Sequence, residues 1–159
     1  MIFLIFFLVI IACFSFVLLF GAPYLPTHNK SAHIALDLLE LKPGDNFFEL
    51  GCGDGRVLIL AAKRGYKCVG WELNPIIYLV AKVRTAKYKN VSVKFGSFWE
   101  QNLSKADGVY VFLLDKYMQK LDKKLTQEMM SGAKLASYAF KIKGKKINHQ
   151  KHGVFLYKY

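Results

Sequence analysis

The chain has 159 residues, 53% of them apolar, and a formal net charge of +12. That length matches one ordinary domain, and the apolar share excludes an intrinsically disordered chain. Its three cysteines, Cys13, Cys52 and Cys68, lack zinc-ligand spacing. They argue against a disulfide scaffold or a structural metal site and fit a reducing compartment as small apolar residues.

Met1 to Ala22 carries no charged residue. As a helix this segment would be roughly 33 Å long, enough to cross a hydrocarbon core of about 30 Å. No Lys or Arg precedes Lys30, and a cleaved signal would need a basic start and a shorter apolar run. The segment is therefore expected to be a retained single-pass anchor. All 23 Lys and Arg lie after it, which by the positive-inside rule assigns the remainder to the cytoplasm. Residues 23–30, with Pro23 and Pro26, form a linker. Residues 31–159 form the domain.

Ser31 is the expected N-cap of a first helix, with Ile34, Ala35, Leu38 and Leu39 on one face. Lys42 to Asp45 reads as a turn. The period then changes. Asn46 to Leu50 is a buried strand, Arg56 to Arg64 a helix closed by Gly65, and Lys67 to Glu72 a second strand. Asn74 caps a helix with Pro75 at its first position, running to about Lys87. Val91 to Phe95 and Gly108 to Leu113 are strands three and four, with a helix from Lys116 to about Glu128. Leu135 to Phe140 and Gly153 to Tyr159 are the last strands. Strand–helix alternation predicts an α/β fold with a mostly parallel sheet and helices on both faces. Between Phe140 and Gly153 there is no room for another helix, so the C-terminal strands should pair antiparallel at one edge.

Acids stop at Glu128, and the last 31 residues hold seven lysines. Such a segment either attracts anionic lipid or is simply a solvated surface. On an anchored chain lipid is the cheaper partner, and nucleic acid is disfavoured.

The stretch Glu49-Leu-Gly-Cys-Gly-Asp-Gly55 lies at the first strand–helix junction. It is neither a dinucleotide loop, because Arg56 stands where the third glycine belongs, nor a P-loop, because no Lys-Ser or Lys-Thr follows. Glu49 and Asp54 would repel a pyrophosphate at that helix end and attract a cationic ligand. S-adenosylmethionine, with an ammonium and a sulfonium and no phosphate, fits. Glu72 ends the second strand 21 residues after Gly51, where a carboxylate accepts both ribose hydroxyls.

This loop and strand tip resemble motif I and the following acidic strand of class I S-adenosylmethionine-dependent methyltransferases, whose fold is a Rossmann-like sheet. The N-terminal span, "PYLPT", "ELGCGDGRVLILAAKRGYKCVGWELNP" and "VYVFLLDKYMQKLDKKLTQE" are together similar to one branch. That branch is the membrane-anchored lysine methyltransferases of mitochondria, which modify the c-ring protein of ATP synthase and the adenine nucleotide translocase, and their bacterial relatives. The resemblance implies that Glu49, Gly51, Gly53 and Asp54 surround the methionine moiety, with Cys52 and Gly55 in the same loop. It implies Glu72 and Leu73 at the ribose, and Pro26 and Thr27 in an entry segment that closes the site. Ser97 and Phe98 stand where eukaryotic members place an Asp-Leu-Trp beside the adenine. Asp115, after the fourth strand, faces the acceptor side and is a candidate to orient the amine, although an N-cap role is the plainer reading. Trp99 is either core or site.

Methyl transfer to an amine needs alignment and exclusion of water, and a neutral nucleophile. It needs no metal, and His28, His33, His149 and His152 do not stand at metal-ligand spacing with acids. The expected activity is methylation of a lysine on a membrane or membrane-associated protein. The alternatives are methylation of a lipid headgroup or small amphiphile, and a scaffold that binds S-adenosylmethionine without transfer.

Overall fold

The computed structural model describes residues 1, 3–5, 7, 8, 11 and 27–159. The expected anchor, Cys13 and Pro26 therefore fall largely or wholly outside the described residues. Among the described residues no helix is long and apolar enough to cross a membrane.

Five helices and seven strands follow Thr27 in alternation, counting one short 3-10 turn among the helices. In chain order they are α1 Asn29–Leu39, β1 Asn46–Leu50, α2 Arg56–Lys63, β2 Lys67–Glu72, α3 Pro75–Thr85 and β3 Val91–Phe95. Then come the 3-10 turn Phe98–Glu100, β4 Gly108–Val111, α4 Asp115–Glu128, β5 Lys134–Tyr138, β6 His149–Lys151 and β7 Val154–Lys158. The strands form one sheet in the order β3-β2-β1-β4-β5-β7-β6. The first five run parallel, and β7 is antiparallel to both β5 and β6. The parallel strands and the antiparallel edge follow the sequence pattern, whereas β6 is a strand that the pattern does not mark.

The core has two layers, one on each face of the sheet. Leu36 and Leu39 of α1, Val57 and Leu58 of α2 and Ala81 of α3 cover one face together with Phe47, Tyr110 and Ala136. Met118, Leu121 and Leu125 of α4 cover the other, against Phe48, Trp71, Val109 and Leu135. Each fully buried leucine contributes roughly 1.5–3 kcal/mol relative to an exposed one. The alternation of Phe47 and Phe48 between the two layers is the two-residue period of a strand buried on both faces.

Several local boundaries differ from the sequence pattern. α1 begins at Asn29 with His28 at its cap, and Ser31 lies buried inside the helix. The start moves back because Thr27 is already fixed, its Oγ1 3.0 Å from the Tyr110 hydroxyl. Asp115 is the first residue of α4, and Leu114 occupies the cap with no side-chain bond. The capping reading of Asp115 is therefore wrong. α3 stops at Thr85, two residues short of Lys87, and β4 stops at Val111. Asn74 behaves as the sequence indicates: its Oδ1 accepts the Ile76 and Ile77 amides at 2.9 and 3.1 Å.

Candidate active site

The chain runs β1 to β2 to β3 in one direction, then returns to place β4 on the other side of β1. The gap between the carboxyl ends of β1 and β4 is thus the topological switch point, where open α/β sheets bind ligands. Leu50 pairs with Val111, and Val111 with Ser137. Just beyond that level are Gly51, Phe112 and Tyr138, the last of these still paired with Val154 of β7.

Gly51, Gly53 and Gly55 all have positive φ, at 80°, 52° and 78°. The loop curls back onto β2, where the amides of Gly51 and Cys52 both donate to the Trp71 carbonyl, at 3.1 and 2.8 Å. A Cβ placed on Gly51 would meet nothing within 4 Å. That residue thus lines an open cradle, and its left-handed backbone favours glycine. Cys52 is buried, and its thiol is pushed far up by burial and by the nearby carboxylates of Glu49 and Glu72. It contributes shape and is not a nucleophile.

Glu72 closes the loop. Its Oε2 accepts the Gly53 amide at 2.9 Å and its Oε1 accepts the Asn74 amide at 2.8 Å. Burial raises its pKa, and the amides of Asn74, Gly53 and Leu73 oppose that rise. Each oxygen keeps a further lone pair for a hydroxyl donor. Leu73 is half-buried between these two contacts. Gly96 donates to the Glu72 carbonyl at 2.9 Å, which brings the end of β3 alongside. There Ser97 Oγ accepts the Trp99 amide at 3.2 Å, so its side chain is a turn cap. Phe98 is half-buried, its ring 4.6 Å from that of Trp99. Trp99 packs on Tyr117 and lies beneath Lys120.

The two acids of the loop turn out to be different. Glu49, on β1 between Gly70 and Tyr110, is buried, and its Oε2 has no hydrogen-bond partner among the described residues. Burial, and then the charges of Asp54 and Glu72, push its pKa well above the carboxylate range. Asp54 is also buried but is clamped by two guanidinium groups. Arg56 approaches with Nε at 3.0 Å and Nη2 at 2.9 Å, and Arg84 makes a further ion pair. Burial alone would raise the Asp54 pKa, but the bond and charge of Arg56 with the charge of Arg84 outweigh it and hold the group below its usual value. The expectation that Asp54 attracts a cationic ligand therefore needs correction, because its charge is already matched within the protein.

Nothing in the sequence pattern points to the Arg84 contact, which spans 30 residues. Nor does it indicate Tyr110, whose phenol joins Thr27 to the sheet beside Glu49, or the aromatic group on β4 and β5. The rings of Phe112 and Tyr138 lie 4.9 Å apart nearly edge to face, with Phe140 stacked 6.5 Å from Phe112. All three are half-buried. Asp115 follows on the rim, about half exposed and paired with Lys143 at 3.1 Å.

The residues present fit S-adenosylmethionine. The open cradle at Gly51, the buried unpartnered oxygen of Glu49 and the two-oxygen tip of Glu72 lie at the carboxyl ends of β1 and β2, an arrangement compatible with that cofactor. Comparison with known proteins agrees. A domain model described as the ANTKMT methyltransferase domain matches residues 49–149. A protein-lysine N-methyltransferase of Saccharolobus islandicus is 35% identical over 127 residues, covering 77% of this chain and 79% of that one. The mouse adenine nucleotide translocase lysine N-methyltransferase is 31% identical over 124 residues, covering 76% of this chain and 54% of that protein. This chain thus spans about half the length of that relative. A solved RNA methyltransferase from Salinibacter ruber, in complex with S-adenosyl-L-homocysteine, superposes with a TM-score of 0.78 at 26% identity, over 85% of this chain and 92% of that one.

Proposed function

The chain belongs to the ANTKMT methyltransferase domain family, within the class I S-adenosylmethionine-dependent methyltransferases, and from that membership we propose that it methylates a lysine side chain of a membrane or membrane-associated protein. The observation that carries the cofactor half of this reading is the Glu72 carboxylate, held between the Gly53 and Asn74 amides at the strand tip. The lysine half is supported by the relatives, whose names specify lysine as acceptor.

In this reading Glu72 accepts the ribose hydroxyls, with Leu73 beside it, and Glu49 faces the methionine ammonium across the cradle of Gly51 to Gly55. Ser97 and Phe98 flank the adenine. When bound, S-adenosylmethionine supplies a methyl group activated on a sulfonium. Phe112 and Tyr138, level with Gly51 across the switch point, form the wall that receives the acceptor's methylene chain. They exclude water, which favours the neutral amine over the ammonium, and their ring faces attract a methylated ammonium product. Asp115 would have to leave Lys143 to orient an amine. Residues 1–22 serve as the membrane anchor with the catalytic domain on the cytoplasmic side. The anchor raises the effective concentration of membrane substrates.

The test is transfer of radiolabelled methyl from S-adenosylmethionine into host membranes, with lipid extracted from protein. Label in a protein band, recovered as methyl-lysine and absent with Glu72→Ala, is the expected result. Label in the lipid extract would replace lysine by a headgroup amine, and no label in either fraction with intact cofactor binding would mean that the substrate is soluble or absent or that the chain only binds. Phe112→Ala and Tyr138→Ala should each lower kcat/KM at least tenfold while cofactor affinity stays unchanged. An equal loss of cofactor affinity would remove the acceptor-wall assignment.

A further inference from the structure

α3 has apolar side chains on the side that faces away from the sheet. Its inward stripe is Ala81 and Thr85, both buried. Leu79, Val80 and Val83 lie on the outward side and are 61%, 41% and 77% exposed. Beside them Phe95, at the end of the terminal strand β3, is 56% exposed with its ring 5.6 Å from that of Tyr78 on α3. Beyond residue 11, Met130 is the one other large apolar side chain exposed among the described residues. The apolar exposure of the domain is therefore concentrated on one edge.

That edge is also purely basic. From Leu73 to Trp99 there are five bases, Lys82, Arg84, Lys87, Lys89 and Lys94, and no acid. Arg84 is used on Asp54. Among the described residues none of the four lysines pairs with a carboxylate; Lys87 lies over Tyr88, and Lys94 lies over Trp71 on the sheet face opposite α3. The lysine-rich C-terminal segment, which the sequence marks as the lipid-facing candidate, differs. There Lys134, Lys143 and Lys145 are matched by Glu40, Asp115 and Asp122, and although the other four have no carboxylate partner among the described residues, no large apolar side chain after Met130 is exposed beside them.

We propose that the α3–β3 edge seats on an anionic lipid surface, with Leu79, Val80, Val83 and Phe95 entering the headgroup layer and Lys82, Lys87 and Lys89 on lipid phosphates. Exposed aliphatic and aromatic groups ringed by unpaired lysines are what an interfacial membrane contact requires. A second copy of the chain fits this edge poorly, because a two-fold contact would bring lysine against lysine with no acid on either side. Asn74 and Ser97 lie two residues beyond the ends of β2 and β3, so seating this edge holds the cofactor loop beside the bilayer. The proposal does not depend on lysine being the methyl acceptor.

Spin labelling of the full chain tests it. With Cys13→Ala, a nitroxide is placed at Val83→Cys or, as the reference, at Met130→Cys, since Cys52 and Cys68 are buried. The protein is reconstituted in vesicles of phosphatidylcholine alone or with phosphatidylglycerol. The expected result is a several-fold loss of collision with a neutral nickel chelate at position 83 in the anionic vesicles only. That loss is reversed by high salt or by Lys82→Glu with Lys87→Glu, and position 130 is unchanged. Equal access at position 83 in both vesicles overturns the proposal. So does equal shielding in both, which would mean that a protein segment, from this chain or a second copy, covers the face.

Discussion

The carboxylate of Glu72 joins the glycine loop to the helix that follows its own strand, with Oε2 on the Gly53 amide at 2.9 Å and Oε1 on the Asn74 amide at 2.8 Å. One side chain therefore both shapes the loop and presents the hydrogen-bond acceptors at the strand tip. Glu72→Ala should abolish measurable cofactor binding in calorimetry. It should also cost about 2 kcal/mol of stability, because two amides lose a charged acceptor. A variant that keeps full affinity would dissociate Glu72 from the cofactor. One that loses affinity with no change in Tm would show that the two amide bonds are not energetically important.

Asp54 is held by Arg56 and Arg84 and has its pKa held below the usual 3.8. A carboxylate with a lowered folded-state pKa adds stability above its unfolded pKa and loses it as pH falls through the folded value. Asp54→Asn should therefore be less stable near pH 7 by about 2 kcal/mol, under the range for breaking a fully buried pair because both arginines are partly in water. The gap should close in acid below the unfolded pKa. Denaturant titrations of both proteins across that range measure it, and a gap independent of pH would mean that shape rather than charge holds the loop.

Glu49 has the opposite sign. Its pKa is raised by burial and by its acidic neighbours, so the protonated form is the one that suits the fold. Stability is fully present below the unfolded value of about 4.5 and falls as pH rises toward the folded pKa, by up to about 1.4 kcal/mol per pH unit. In the absence of cofactor, Glu49→Gln should gain on the parent protein in thermal melts as pH rises above the unfolded value. A constant difference would show that Glu49 is ionised throughout.

Gly70 has no unusual backbone angle, yet it is fixed by contact. A Cβ there would sit 2.6 Å from Leu58 Cδ1 and 2.8 Å from Cys52 Cβ. Gly70→Ala should cost roughly 1–3 kcal/mol, as overpacking does, and should weaken cofactor affinity by displacing Cys52 within the loop. Melting and calorimetry on the one variant test both parts. A destabilised protein with unchanged affinity would confine Gly70 to packing.

The order of elements, the parallel sheet with its antiparallel edge and the positions of Gly51, Glu72 and Asn74 are legible along the chain. Each depends on local rules: a two-residue or 3.6-residue period, a glycine where φ is positive, an asparagine before Pro75. The start of α1 is not legible in this way, because a buried hydroxyl pair between Thr27 and Tyr110, 83 residues apart, outweighs the capping preference of Ser31. Asp115 defeats a local reading for a similar reason: proximity to a helix start does not say which residue takes the cap.

Local sequence was enough to indicate the kind of ligand and to locate the glycine loop and the acidic strand tip, since each forms within a few residues. Charge balance arises only in three dimensions. Asp54 and Glu49 look alike as neighbouring acids, but folding brings two arginines to one and leaves the other buried without a hydrogen-bond partner on one oxygen. Likewise the lysine-rich tail loses part of its free charge to Glu40, Asp115 and Asp122, while the sparser lysines of α3 and β3 keep theirs. Electrostatic energy depends on distances between groups far apart in the chain, and those distances exist only once the sheet has been assembled.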